Sequence, residues 1–185
     1  SDYRCPPRLM MKNHVLPIQA ARGCPYRCAF CSQNMFSPGV RQRPLSSVVE
    51  EMAWVGDKFG VTGFGFADAI FPLTEESGLE FCRLVEERGL SGRIQWFTET
   101  RYDRVTPRLL RAMKQAGCQF VMYGFETASP RLLQHVDKDL DPRQALETVR
   151  WTKQAGLGTY GLYMIGFPEE TENEAKATIH WATQL

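Results

Sequence analysis

Short apolar runs alternate along the chain with longer stretches in which apolar residues recur every three or four positions. The runs predict five strands, over 16–22, 62–71, 93–101, 118–126 and 159–167. The stretches between them predict helices, because residues typical of helix starts and stops flank them. Strands that alternate with helices favour a parallel sheet joined by right-handed crossovers.

The predicted helices have recognisable boundary residues. We expect the first helix over 46–59, with Ser46 as its N-cap and an apolar face made of Val48, Met52, Val55 and Phe59. A second helix is predicted over 75–88, closed by Gly89. The later helices are expected to begin after Thr106, Ser129, Asp141 and Thr171, and the first three of these residues precede a proline.

The strands are apolar with little alternation, which suits a sheet covered by helices on one side and filled on the other. A repeated Gln-Ala-Gly, at 115–117 and again at 154–156, supports a recurring helix-to-strand unit. Two α/β architectures remain open, a curved barrel-like sheet and a flat doubly wound one, and both bind ligands at the carboxyl ends of their strands. No glycine-rich phosphate loop follows any strand, which disfavours a nucleotide-binding Rossmann domain.

Composition narrows the class of protein further. At 185 residues the chain suits one domain with a real core, and 22 Lys and Arg against 21 Asp and Glu give no reason to expect nucleic acid or a membrane surface as partner. No apolar run approaches the length of a membrane-spanning helix. Three of the six cysteines are clustered and the others are single, which favours a reducing, cytoplasmic location. Cys82 and Cys118 are expected to be small buried apolar residues.

The clustered cysteines form the pattern C-x3-C-x2-C at 24, 28 and 31, directly after the first predicted strand. A structural zinc site would need a fourth ligand, and only Cys5 and His14 lie nearby. A redox dithiol would use Cys28 and Cys31 and leave Cys24 without a role. An iron–sulfur cluster with three protein ligands leaves one iron open, and we favour this interpretation.

The loop "GCPYRCAFC", with Phe30 ahead of its last cysteine, resembles the signature of radical S-adenosylmethionine (SAM) enzymes. Further stretches resemble motifs of the branch often fused to cobalamin-binding domains: "VRQRPLSSVVEEM", "GFADAIF", "TETR", "MYGFETASPRLL" and "MIGFPEET". Two positions depart from that branch, because Ala69 stands where a second acid is usual and Glu169 where a glycine is usual.

The resemblance implies a partial (β/α) barrel with five strands visible where six are usual. Residues 1–185 are then expected to form a single radical SAM core domain, part of a longer protein. It also implies a [4Fe–4S] cluster held by Cys24, Cys28 and Cys31 at the carboxyl mouth of the barrel. The open iron would be chelated by the amino and carboxylate groups of S-adenosylmethionine.

The resemblance also implies roles for residues at the strand ends. Phe30 is expected near the adenine, and Glu126 beside Gly124 is expected to accept hydrogen bonds from the ribose or the methionine ammonium. Arg101 is expected to pair with the methionine carboxylate or a substrate acid, although a salt bridge to a neighbouring acid is the alternative. Asp68 is a further candidate for binding the cofactor. Other matched positions are Lys138, Gly166 and Pro168.

Such a protein would cleave S-adenosylmethionine reductively and use the 5′-deoxyadenosyl radical to abstract hydrogen from an unidentified substrate. Cobalamin-assisted methyl transfer, with cobalamin on a domain outside this chain, or oxidative cyclisation would follow. An electron donor such as a flavodoxin or ferredoxin is expected, together with sensitivity to oxygen. The alternatives are a methylthiotransferase acting on RNA or protein and a non-catalytic iron–sulfur or zinc docking module, which would not need Arg101 or Glu126.

Overall fold

The main sheet has five parallel strands in a computed structural model that describes residues 15–33 and 39–185. These strands are β1 (Val15–Ile18), β4 (Gly63–Phe66), β5 (Gln95–Thr100), β6 (Cys118–Glu126) and β7 (Gly158–Tyr163). A separate antiparallel ribbon pairs β2 (Ala21–Arg22) with β3 (Arg41–Gln42). Strand β2 directly precedes the cysteine loop, residues 23–31, and β3 follows it.

The order of the main sheet follows the chain, β1-β4-β5-β6-β7, and every pair is parallel. When each right-handed crossover leads to the next strand in the same direction, all the connecting helices lie on one face of the sheet. In a doubly wound sheet the strand order reverses, and helices cover both faces. Within the described residues the outer strands β1 and β7 do not pair, so the barrel is open. The predicted partial (β/α) barrel is therefore confirmed, and the doubly wound alternative is wrong.

Six α-helices and one short 3₁₀ turn (Tyr102–Arg104) accompany these strands in the described part of the chain. The helices are α1 (Leu45–Phe59), α2 (Glu75–Glu87), α3 (Pro107–Gln115), α4 (Pro130–His135), α5 (Pro142–Gln154) and α6 (Glu172–Ala182). The predicted caps Thr106, Ser129, Asp141 and Thr171 are confirmed, because each side chain accepts a hydrogen bond from a backbone N–H of its helix.

The first helix ends at Phe59 as predicted, but the predicted cap Ser46 and the predicted core position of Phe59 are wrong. Helix α1 begins at Leu45 with Pro44 in the N-cap position, so Ser46 lies inside the first turn and caps nothing. Phe59 is 60% exposed and packs against Trp54 instead of the core. A helix of this length spans about 22 Å, while the neighbouring strands of four residues span about 13 Å, so its last turn extends beyond the sheet.

The core lies between the sheet and the helices. Phe66 stacks on Phe71 with ring centroids 3.8 Å apart, and both make edge contacts with Phe81 and Trp96. Cys82 and Cys118 are buried, as predicted. No helix among the described residues is long and apolar enough to span a membrane.

Candidate cluster and cofactor site

The cysteine loop packs against the chain segments that follow β6 and β7. The backbone N–H of Ala29 donates to the Val136 carbonyl at the end of α4, at 2.9 Å. The Phe30 ring meets the Phe167 ring edge-on, with centroids 6.0 Å apart. These contacts place the loop at the carboxyl end of the sheet, where parallel (β/α) barrels carry their ligand sites.

The thiols of Cys24, Cys28 and Cys31 are free and half-buried. Within residues 15–33 and 39–185, no three Cys, His, Asp or Glu side chains are grouped so as to hold a single metal ion. An iron–sulfur cubane takes its thiolates on separate irons, so its ligands stand further apart than the ligands of one ion. The donor set fits such a cluster, because three cysteines on one short loop supply the thiolates and leave a position open.

Positive charge lies near these thiols. Burial raises the pKa of the Cys28 thiol, and the nearby cations Lys138 and Arg101 oppose that rise. The ammonium of Lys138 also lies 5.8 Å from the centre of the Phe30 ring. Cations at this position favour a bound, deprotonated thiolate.

Glu126 ends β6 in the left-handed backbone region, with a φ of 60°. Its carboxylate accepts a hydrogen bond from Lys138 Nζ at 2.5 Å, and both side chains are buried. A Cβ on Gly124 would lie 2.6 Å from Glu126 Oε1 and 2.7 Å from Lys138 Nζ. Glycine at position 124 therefore makes room for the ion pair, which explains why Gly124 and Glu126 occur together.

Lys138 reaches this pair from a tight turn after α4. Its neighbours Asp137 and Asp139 both have positive φ, at 53° and 37°. Backbone strain of this kind costs roughly 1–3 kcal/mol per residue and is found where a fold must hold a functional group in place. Lys138 matches a family motif, but its pairing with Glu126 was not predicted, because twelve positions separate the two residues.

Asp68 lies at the carboxyl end of the sheet, but its side chain is hydrogen-bonded to the backbone. Its two carboxylate oxygens accept hydrogen bonds from the N–H groups of Ala20 and Ala21. Burial raises the pKa of Asp68, and these backbone hydrogen bonds oppose the rise. Asp68 thus fixes the bend between β1 and the cysteine loop, and the single strand predicted over 16–22 is wrong because this bend divides it.

Arg101 directly follows β5 and is bound to protein groups. Its Nε and Nη2 donate to the Asp103 carboxylate at 3.0 and 3.2 Å, and Nη2 also donates to the Lys138 carbonyl. Its guanidinium carbon lies 3.8 Å from the ring centre of Tyr26, in the cysteine loop. The alternative of a salt bridge to a neighbouring acid is therefore present, and its cofactor role stays a prediction.

Glu99 is a further partly buried carboxyl near Glu126 that was not predicted as a site residue. Its carboxyl has a raised pKa, caused first by burial and then by the charge of Glu126, while Lys138 opposes the rise. Within the part of the chain that the structure describes, its side chain makes no hydrogen bond. Strand alternation could have identified it, because Trp96, Thr98 and Thr100 face the core and Glu99 faces the other way.

An open parallel barrel with a three-cysteine loop at its carboxyl mouth defines the class of protein, an α/β barrel built to hold a cluster. The sequence model of the radical SAM superfamily matches residues 18–182. The chain therefore belongs to the radical SAM superfamily, a family of enzymes, and the predicted resemblance is confirmed.

Two curated relatives show which branch of the superfamily is similar. An uncharacterized methyltransferase of Pyrococcus horikoshii is 33% identical over 91% of this chain and 36% of its own length. The anaerobic magnesium-protoporphyrin IX monomethyl ester cyclase of Cereibacter sphaeroides is 30% identical over 88% of this chain and 27% of its own length. The chain thus spans about a third of the relatives that it matches.

A solved structure has the same fold. The radical SAM methyltransferase TsrM of Kitasatospora setae, with tryptophan and a SAM analogue bound, superposes with a TM-score of 0.83 at 21% identity, over 91% of this chain and 33% of its own. TsrM has also been solved with cobalamin and a [4Fe–4S] cluster bound. Both cofactors in these structures agree with the cofactors that the sequence resemblance implies.

Proposed function

We propose that Cys24, Cys28 and Cys31 hold a [4Fe–4S] cluster and that S-adenosylmethionine binds between this loop and the end of β6. The observation that carries this proposal is the meeting of the cysteine loop with the buried Glu126–Lys138 pair at the carboxyl edge of the sheet. Cluster and SAM together supply a one-electron cleavage that yields methionine and a 5′-deoxyadenosyl radical.

The chain's own residues would bind and orient the cofactor. Glu126, fixed by its backbone and by Lys138, would accept hydrogen bonds from the ribose or the methionine ammonium. Phe30 is 37% exposed and would offer its ring to the adenine. Gly124 keeps this space free, and Asp68 holds the approach to the loop.

The reaction that we favour is cobalamin-assisted methyl transfer, with oxidative cyclisation as the second possibility. Methyltransferases and a cyclase among the similar proteins support these two outcomes. Cobalamin would be supplied by a region outside these 185 residues, and the substrate is an organic molecule still to be identified. We also propose a cytoplasmic location, an electron donor of the flavodoxin or ferredoxin type, and loss of activity in air.

The test is anaerobic reconstitution of the chain with iron and sulfide, reduction with dithionite and addition of SAM. We expect 5′-deoxyadenosine from the wild type and none from Cys28→Ser, which removes one predicted ligand. Cys82→Ser is the matched control, because Cys82 is buried on α2, and it should retain product.

Two results would overturn the proposal. An intact cluster that forms no 5′-deoxyadenosine would favour the docking module, and tight zinc with no iron uptake would exclude the radical reaction. Methylthiolated RNA or protein as product would keep the radical chemistry and replace methyl transfer by the methylthiotransferase alternative.

A further inference from the structure

We infer that Arg101 is a positioning residue that holds the cysteine loop through Tyr26. Tyr26 lies between Cys24 and Cys28, and its ring faces the Arg101 guanidinium at 3.8 Å. The consequence for cofactor binding rests on the proposed function, but the contact itself is independent of that proposal.

The guanidinium is fixed before it meets the ring. Three hydrogen bonds, two to Asp103 and one to the Lys138 carbonyl, orient its plane, and its side chain is only 11% exposed. A planar cation held in this way presents a flat face to an aromatic ring without losing further side-chain freedom. Desolvation strengthens such a cation–π contact relative to one on an open surface.

The first half of the loop depends on this contact. In the described part of the chain, the backbone of residues 24–27 receives no hydrogen bond from outside the loop. The second half is tied by the Ala29 N–H to the Val136 carbonyl and by the packing of Phe30 on Phe167. Stacking on Arg101 therefore supplies the anchor for the half that carries Cys24.

Arg104 provides an internal comparison. Its guanidinium carbon lies 5.2 Å from the centre of the Tyr26 ring, and its side chain is 41% exposed. Its Nε lies 3.8 Å from Asp103 Oδ2. Arg104 also has a side-chain hydrogen bond with the Tyr26 hydroxyl. Tyr26→Phe removes that bond and keeps the ring over Arg101, so the two arginines separate contact with the ring face from a general effect of positive charge.

The first experiment measures thiol–disulfide exchange of Cys24 with a small disulfide reagent in the iron-free 185-residue protein, because the Cys24 thiol is half-buried in the folded loop. We expect Arg101→Gln and Tyr26→Ala each to speed exchange at Cys24 by about tenfold, with exchange at Cys31, in the half of the loop tied to Val136, unchanged. Tyr26→Phe should behave like the wild type, and the Arg101→Gln, Tyr26→Ala double variant should be no faster than either single one. Equal effects of Arg104→Gln and Arg101→Gln, or no effect of either, would overturn the inference.

The second experiment distinguishes positioning from direct contact with the cofactor. Reconstituted Arg101→Gln should bind SAM and decarboxylated SAM more weakly by the same factor, and Tyr26→Ala should do the same. Tyr26→Phe should restore the wild-type electron paramagnetic resonance spectrum of the reduced, SAM-bound cluster. A loss confined to SAM, with Tyr26→Ala harmless, would show that Arg101 binds the methionine carboxylate instead.

If the wild type takes up no iron, the proposed function fails while the exchange result stands. Arg101→Lys, which keeps the charge but not the planar fork, should fold and still show the faster exchange.

Discussion

At the scale of single residues, the site depends on groups that a local sequence pattern does not pair. Glu126 has a left-handed backbone and a buried carboxylate, and its ion pair with Lys138 offsets the cost of burying that carboxylate. Glycine at position 124 leaves room for that pair in its present geometry, since a Cβ there would meet the ends of both charged side chains.

Gly124→Ala should displace the Glu126–Lys138 pair, because the new Cβ would lie within 2.7 Å of both side chains. We expect a loss of about 1–3 kcal/mol in the free energy of unfolding, measured by urea denaturation, and weaker binding of SAM. An unchanged denaturation midpoint would show that the pair can move aside at no cost.

Lys138→Met should be more damaging, because it leaves the Glu126 carboxylate buried without its partner. The expected loss is about 3–5 kcal/mol in the free energy of unfolding. Adding Glu126→Gln should recover part of that loss, since no buried charge then remains. Failure of the double variant to recover any stability would mean that Lys138 supports the fold by packing alone.

Glu99→Gln tests the unpaired carboxyl beside this pair. The pKa of Glu99 is raised in the folded protein above its ordinary value of 4.5, so the protonated form is favoured by folding. The stabilisation that protonated Glu99 provides is complete below pH 4.5, the ordinary pKa of the group. It is lost as the pH rises through the higher pKa that Glu99 has in the folded protein. The variant should therefore melt at a higher temperature than the wild type at pH 7 and show no advantage at pH 4. The same difference at both pH values would contradict this assignment.

At the scale of elements, the bends that follow strands shape the site more than the strands do. Asp68 bends the chain after β1, and Glu169 turns it after β7 with a φ of 63°. The positive φ explains why the family usually has glycine at position 169, because glycine adopts this conformation without steric cost.

Asp68→Asn should loosen the cysteine loop, because the amide nitrogen of asparagine cannot accept the hydrogen bond that a carboxylate oxygen accepts from a backbone N–H. We expect a loss of about 1–3 kcal/mol in the free energy of unfolding and a lower iron content after reconstitution. Asp57→Asn, which removes an exposed ion pair with Arg93, is the matched control and should change neither.

At the scale of the whole molecule, the sequence predicted the architecture better than the site. The caps of α3, α4, α5 and α6 and the alternation of strands and helices are local, so the pattern predicted them. The three-cysteine motif is also visible in the sequence, because one loop carries it, and its role as a ligand set stays a prediction. The Arg101–Tyr26 stack and the Glu126–Lys138 pair join separate elements, and a single sequence holds no signal for such contacts.

The cysteine loop has a consequence for how the protein is made. Its contacts with Arg101, Val136 and Phe167 lie far downstream of Cys31, so a ribosome exposes all three thiols long before the chain that secures them exists. Domains emerge from the amino end first, at a pace of seconds. Iron loaded during that interval would meet an unsecured loop. If these cysteines hold the proposed cluster, we expect iron and sulfide to be inserted after synthesis, into a chain that is already folded.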